Sequence, residues 1–476
     1  MSANDLARLQ FATTTLFHFF FVPMTIGLFW LTAIMQTAWR RHGNEEWLRL
    51  TRFMGKLLLL NVAIGVATGL VQEFEFGMNW SSYSRFVGDV FGAPLAIEGL
   101  AAFFLESTFL GIWIFGWNRL KPRTHLAAIY LAAIGSTLSA VFIIAANSWM
   151  QHPVGYSINP QTGRAQLESI GAVFTNPIFL WAITHTIFAA FVAGGCILLS
   201  VACWHLKKGR DVEAFRKAAT LALVVLFPAT GLALMTGARL AVTITQIQPM
   251  KTAAFEALWD SESPASFSVV QWGGMTATDQ TPTFDIEIPY LLSILATNTL
   301  DGEVAGINQT QAATQQQHGD GNYIPVVYFT YWGLRVMAYV GSLVLLVSVV
   351  GLFLVWRKKL TTSRWFLRLG VWMAVAPFLI NAGGWILAET GRQPWIVWGL
   401  QQTQNANSPN VSAAQVAFTL GGFILLYVAI GVLDGWLMIR AARRDLDEVP
   451  DEWGLSDEDD EHDDKHHPTK IPALSY

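Results

Sequence analysis

Cysteine is nearly absent from this chain, and charge is scarce. Only Cys196 and Cys203 occur among 476 residues, both inside one apolar run. That excludes a disulfide framework, a CxxC pair and a CxxCH site for covalent cofactor attachment. Charged residues make up 13% of the chain against 53% hydrophobic, with 20 tryptophans, and a soluble domain carries about 25% charge. This balance identifies a polytopic membrane protein and excludes a nucleic-acid partner from the expectations. There is no internal repeat, so the inverted-repeat architecture of many transporters is not suggested. The first residues, MSANDLARLQ, hold a single base and lead into an apolar run without a small-residue cleavage site. They read as the start of an uncleaved first helix and not as a signal peptide.

The net charge of −4 conceals two opposite parts. Residues 445–476 hold 12 of the 34 acids and 2 of the 30 bases, which leaves 22 acids and 28 bases in the body. The acidic run DEDDEHDD is expected to be a solvated, disordered cytoplasmic tail. Its His462, His466 and His467 have the chemistry of metal ligands, although a solvated tail is the simpler reading.

Apolar runs long enough to cross about 30 Å of hydrocarbon fall near 11–38, 53–72, 93–117, 125–146, 178–204, 218–237, 326–355, 366–388 and 415–439. The expected fold is therefore an all-α polytopic membrane protein with nine transmembrane helices. With the N-terminus outside and the C-terminus cytoplasmic, 23 bases lie on the inner side and 7 on the outer side, as the positive-inside rule requires. The chain then divides into six helices over 1–237, an extracytoplasmic loop over 238–325, three helices over 326–444, and the tail over 445–476. The loop contains Pro249, Pro264, Pro282 and Pro289 and ends in QAATQQQHGDGN, which reads as flexible. A connection that long is either functional or disordered.

Ionisable residues inside hydrocarbon are costly and point to function. Only His18 and His185 of the ten histidines lie clearly within apolar runs, with Glu98, Glu106, Arg335, Glu389 and Asp434 as further intramembrane ionisable positions. In the expected topology His18, Glu98, His185, Met337 and Glu389 all gather in the outer third of the membrane. Imidazole, thioether and carboxylate facing a bundle interior suit iron in a porphyrin. Arg335 and Arg392 suit its propionates, and Trp385, four residues before Glu389, shares that helix face. Two bis-histidine haems would need four histidines, and two are available. Taken singly, each membrane histidine is also explained as a helix–helix hydrogen bonder and Met337 as core filler. Asp434 reads as interfacial.

Five segments carry a resemblance: RLQFATTTLFHFFFVPMTIG, GVATGLVQEFEFGMNW, GDVFGAPLAIEGLAAFFLEST, ANSWMQHP and AETGRQPW. In this order they closely resemble subunit I of the cytochrome bd quinol oxidases, through residues 1 to about 440. The resemblance implies a bacterial plasma-membrane terminal oxidase subunit that oxidises quinol, menaquinol or ubiquinol, and reduces dioxygen to water. It implies two b-type haems and one haem d. His185 and Met337 are then the axial ligands of a low-spin b haem, and His18 and Glu389 the single protein ligands of the other two, in either order. Glu98 is similar to a carboxylate beside the haems, Trp385 to an aromatic between them, and Arg335 and Arg392 to residues near propionates or ligands. The outer loop resembles the quinol-binding loop, with Lys251 and Glu256 at the quinol positions. A lysine can hydrogen-bond a quinol oxygen and a carboxylate can accept its proton.

The same resemblance implies a second large membrane subunit as partner, with small single-helix subunits in some members. Glu106 lies eight residues from Glu98, about 12 Å along the helix and about 80° round it. With Ser139 these residues form an expected proton path from the cytoplasm, giving membrane potential without pumping. Three rival readings remain: an ion-coupled transporter in which Glu98, Glu106 and His18 titrate, an oxidase with b haems alone, and a non-catalytic haem-bearing scaffold.

Overall fold

The computed structural model describes residues 1–447, so most of the acidic tail and its three histidines lie outside the described residues. Among these residues nine helices are long and apolar enough to cross a membrane. Spans 1 to 3 are Ala3–His42, Glu45–Met78 and Ser81–Phe115, and spans 4 to 6 are Pro122–Gln151, Pro177–Lys208 and Val212–Ile247. Spans 7 to 9 are Val327–Trp356, Arg364–Thr390 and Ala413–Ala442. All nine expected runs are therefore helices, most of them longer than their apolar cores. Span 3 extends furthest beyond expectation, because the polar stretch from Ser81 to Asp89 continues the same helix.

The helix ends follow local chemistry. Ser2 and Asp5 form a capping box at the start of span 1, and Ser412 and Gln415 form one at span 9. Gly43 and Gly209 end spans 1 and 5 in the left-handed conformation that a residue without Cβ adopts freely. Arg40 and Arg41 sit in the last turn of span 1, where cations complement the helix dipole.

The core of the bundle depends on glycine. A Cβ at Gly27 of span 1 would lie 2.2 Å from the Ala190 carbonyl oxygen and 2.8 Å from the Gly194 nitrogen of span 5. Spans 7 and 8 meet likewise, with Gly333 and Gly383 each presenting its carbonyl where the other's side chain would be. Between helices in lipid, such close approach supplies dispersion contacts that the hydrophobic effect does not. At the opposite end from the long loop, His125 is closed within the protein. It bonds Gln36 at 2.8 Å and the Trp113 carbonyl at 2.8 Å. His205 stacks on Phe215 with centroids 3.8 Å apart and hydrogen-bonds the Ala442 carbonyl.

The 248–326 connection is folded onto the bundle. It contains the helix Pro249–Glu256, an antiparallel pair of strands Phe267–Gly273 and Pro282–Ile288, and helices Leu291–Thr297 and Ile307–His318. Its end was expected to be flexible, yet most of QAATQQQHGDGN is helical. The glutamines and alanines favour helix. Ile307 and Thr310 are buried, and Tyr323, just beyond, stacks on Trp395 at 5.6 Å. Gln311 and Gln315 donate to the Gly321 carbonyl, which folds the following turn back onto the helix.

Replacing Gly27 by leucine should push span 1 off span 5. Overpacking of this kind costs about 1–3 kcal/mol, so thermal unfolding of the purified protein should begin well below that of the parent. Gly231→Ala, where nothing lies within 4 Å, should leave the transition unchanged.

Candidate functional site

The intramembrane residues singled out by sequence collect toward the end of the bundle that carries the long connection. His18 lies 15 residues into span 1, His185 eight into span 5 and Met337 ten into span 7, while Glu389 is one residue from the end of span 8. Spans joined by short connections alternate in direction, so these positions share one side.

Each imidazole is held by one nitrogen only. His18 Nδ1 is 3.0 Å from the Thr68 hydroxyl, and Thr68 donates its own proton to the carbonyls of Ile64 and Gly65. The hydroxyl therefore accepts from Nδ1–H. His185 Nδ1 donates to the Ala233 carbonyl at 2.9 Å. In both cases Nε2 is the atom with a lone pair and no partner among the described residues, the arrangement usual for a metal-bound histidine. A glycine makes room beside each of these side chains. Gly69 faces His18 and Gly237 faces His185, where a Cβ would approach the ring to 3.0 and 3.1 Å. Gly384 faces Met337, where a Cβ would stand 2.9 Å from the sulfur.

Glu389 is fixed from two sides. Asn147 of span 4 donates to its Oε1 at 2.9 Å, and Arg392 donates to its Oε2. Arg392 is 2% exposed, yet its Nε and Nη1 have no partner, and the Trp385 indole N–H has none either. Unpaired donors in a dry interior cost stability unless a ligand accepts from them. Trp385 stacks on Phe19, next to His18, with centroids 4.6 Å apart. Two nitrogen ligands, a thioether, a carboxylate and three orphaned N–H donors fit a haem group with propionates. No cluster of three or more His, Cys, Asp or Glu suited to a bare metal ion occurs among the described residues.

Arg335 takes a different position from the one expected. Its guanidinium donates to Glu256 at 2.8 Å, to the carbonyls of Ser268 and Phe255, and lies 3.6 Å over the Tyr331 ring. Only Nε lacks a partner, so the side chain chiefly ties the long connection to span 7. Lys251 and Glu256 are likewise buried, at 2% and 4% exposure. Lys251 donates to Gln151 Oε1 and to the Ala388 carbonyl, both at 2.8 Å, which places it one residue from Glu389. Burial pushes the Lys251 ammonium down to about 7, with Glu389 opposing the shift. Burial pushes the Glu256 carboxyl up to about 7 against the pull of Arg335.

Glu98 and Glu106 both face span 4. Ser139 donates to Glu98, and Ser136, one turn away, to Glu106. A regular helix puts the two carboxylates about 80° apart. The turn between them, Glu98–Phe103, is a π-helix, whose extra residue per turn changes that azimuth and is a frequent mark of functional sites. Gly135 lets span 4 approach the Glu106 backbone, where a Cβ would meet its nitrogen at 2.6 Å. Asp434 is buried, at 9% exposure, with Oδ1 unpartnered.

Asn147, Gln151, Thr68 and Glu75 escaped the sequence reading as site residues. Glu75 is fully buried in span 2 and accepts from Thr14 at 3.0 Å. All four lie inside the segments ANSWMQHP and GVATGLVQEFEFGMNW, where only tertiary packing tells which polar residues bond across helices.

Known proteins extend the same pattern. The chain is 44% identical to cytochrome bd ubiquinol oxidase subunit 1 of Bacillus subtilis strain 168, over 93% of this chain and 94% of that protein. It is 36% identical to cytochrome bd-II ubiquinol oxidase subunit 1 of Escherichia coli K12, over 92% and 96%. The fold matches a chain of the bd oxidase from Geobacillus thermodenitrificans with a TM-score of 0.85 and 28% identity, covering 93% of this chain and 99% of that one. The sequence profile of the family matches residues 6–446, and the chain belongs to the cytochrome bd terminal oxidase subunit I family.

Proposed function

We propose that this chain works as the subunit of a quinol:oxygen oxidoreductase whose haems are held at the connection-bearing end of the bundle. The observation that carries this is the set of two imidazoles with free Nε2 atoms, the Met337 sulfur and Glu389, accompanied by buried donors that have no protein acceptor. The protein is a multi-pass bacterial membrane protein and a terminal oxidase. It works with a second subunit, and small single-helix subunits are a further proposal.

His185 and Met337 would hold a low-spin b haem, and His18 and Glu389 would each hold one of a b-type and a d-type haem. When bound, the haems supply the electron carriers and the iron at which dioxygen is reduced. Arg392, already paired with Glu389, would neutralise a propionate through its free Nε and Nη1. Asn147 fixes the rotamer of Glu389, and Thr68 and the Ala233 carbonyl fix the two imidazole tautomers.

The long connection, which begins after span 6 ends at Ile247 and not at residue 238, is assigned to quinol. Glu256 is placed to accept a quinol proton. Lys251, through Gln151 and the Ala388 carbonyl, links that helix to the last turn of span 8. The bases in the short connections support an orientation with the N-terminus outside. Protons released from quinol then leave on the outer side. Protons for water formation rise along Glu106, Ser136, Ser139 and Glu98, which lie further toward the cytoplasm. Charge separation follows from this geometry without a pump.

The reduced-minus-oxidised spectrum of the purified oxidase, taken before and after carbon monoxide, tests the assignment. Bands of b haems with a red-shifted chlorin band that moves with carbon monoxide are expected. Bands of b haems alone would remove haem d, and a colourless folded preparation would remove the oxidase reading. Met337→Leu should convert only the low-spin b haem to a high-spin spectrum while the other bands persist. Glu106→Gln should slow turnover and potential generation together, by about 100-fold if it relays protons as a general acid–base. Unchanged generation of potential would refute that role. Because only ionised Glu256 accepts a proton, kcat/KM for quinol should rise as pH climbs through about 7. In Glu256→Gln that step should vanish from a lower profile.

A further inference from the structure

At the end of the bundle opposite the haem residues, the short turn between spans 7 and 8 lines an open cavity of about 610 Å³. Lys359, Arg364 and Arg368 line it, together with Leu354, Trp365 and Ser363. The Ser363 hydroxyl oxygen is buried and has no partner. Residues 357–372 carry five bases and no acid, and the sequence has no carboxylate at all between Asp320 and Glu389.

Other bases at the same end find acids in the protein. Arg49 pairs with Asp211 at 2.9 Å, Lys56 with Asp447 at 2.6 Å, Arg210 with Asp445 at 3.1 Å and Lys217 with Glu46 at 3.2 Å. Lys359, Arg364 and Arg368 make no ion pair among the described residues. Like charges converging on one hollow repel unless an anion enters. Beside the cavity, Leu346, Phe353 and Trp356 of span 7 are 59%, 54% and 72% exposed. The cavity therefore opens at the level where spans 7 and 8 end, with a basic floor and an apolar strip leading from it along the helix.

We propose that this cavity binds the phosphate headgroup of one anionic phospholipid, with the acyl chains lying along the exposed strip of span 7. The three bases and the Ser363 hydroxyl donate to the phosphate, and Trp356 and Trp365 sit at the headgroup boundary where tryptophan is favoured. The acidic residues beyond Asp447 match the charge of the floor but not the apolar strip, which an acyl chain covers and an acidic peptide does not.

The test is native mass spectrometry of the delipidated oxidase complex, titrated with phosphatidylglycerol, phosphatidylcholine or inorganic phosphate. One phosphatidylglycerol should be retained per complex at a concentration at least tenfold below that needed for phosphatidylcholine. Lys359→Gln/Arg364→Gln/Arg368→Gln should weaken retention tenfold or more with an unchanged haem spectrum. Arg119→Gln/Lys121→Gln/Arg123→Gln, which removes the same charge elsewhere, should retain it. Should the triple variant not assemble, Arg368→Gln alone should show a smaller loss of the same kind. Equal retention by variant and parent, or no uptake of phosphatidylglycerol by the parent, would overturn the proposal. Displacement of the lipid by equimolar inorganic phosphate would make the site one for free phosphate and overturn it equally.

Discussion

Hydrocarbon offers no hydrogen bonds, so each polar group within it is closed by the protein or left open for something else. The distinction separates the histidines of this chain. His125 uses both ring nitrogens within the protein, between Gln36 and the Trp113 carbonyl. His18 and His185 use one nitrogen each, and a glycine lets each ring pack closely on the neighbouring helix. His205, at the same end as His125, bonds the Ala442 carbonyl through Nε2 and leaves Nδ1 unpartnered.

Glycine serves two purposes in this architecture. Gly27 against Gly194 and Gly333 against Gly383 let helix backbones touch, which gains dispersion energy where the solvent itself is apolar. Gly69, Gly237 and Gly384 make room for the side chains of His18, His185 and Met337. Spans 7 and 8 show both uses within two residues, at Gly383 and Gly384.

The helical layout was legible because the physics of crossing a bilayer is written along the chain, in run length and in the sparsity of charge. As candidates, His18, His185 and Glu389 were legible because ionisable groups are conspicuous in hydrocarbon. Their partners were not. Asn147, Thr68 and Gln151 are neutral, and whether a neutral polar residue bonds its own helix or a distant carboxylate is decided by tertiary packing. Glu75 lies just beyond the apolar run 53–72, where the sequence does not distinguish a buried acid from an exposed one. The π-turn after Glu98 has no sequence signal comparable to proline. The destination of Arg335 was hidden for another reason: a guanidinium on a span looks alike whether it faces a cofactor or a loop that folds back onto it.

Two charged side chains join the long connection to the bundle, Lys251 to the end of span 8 and Arg335 to Glu256 and Ser268. Both lie in its first third. The chain from Gly274 onward has no such attachment to a charged intramembrane residue. The segment from Gln248 to Ser268 is therefore held as one piece with spans 4, 7 and 8.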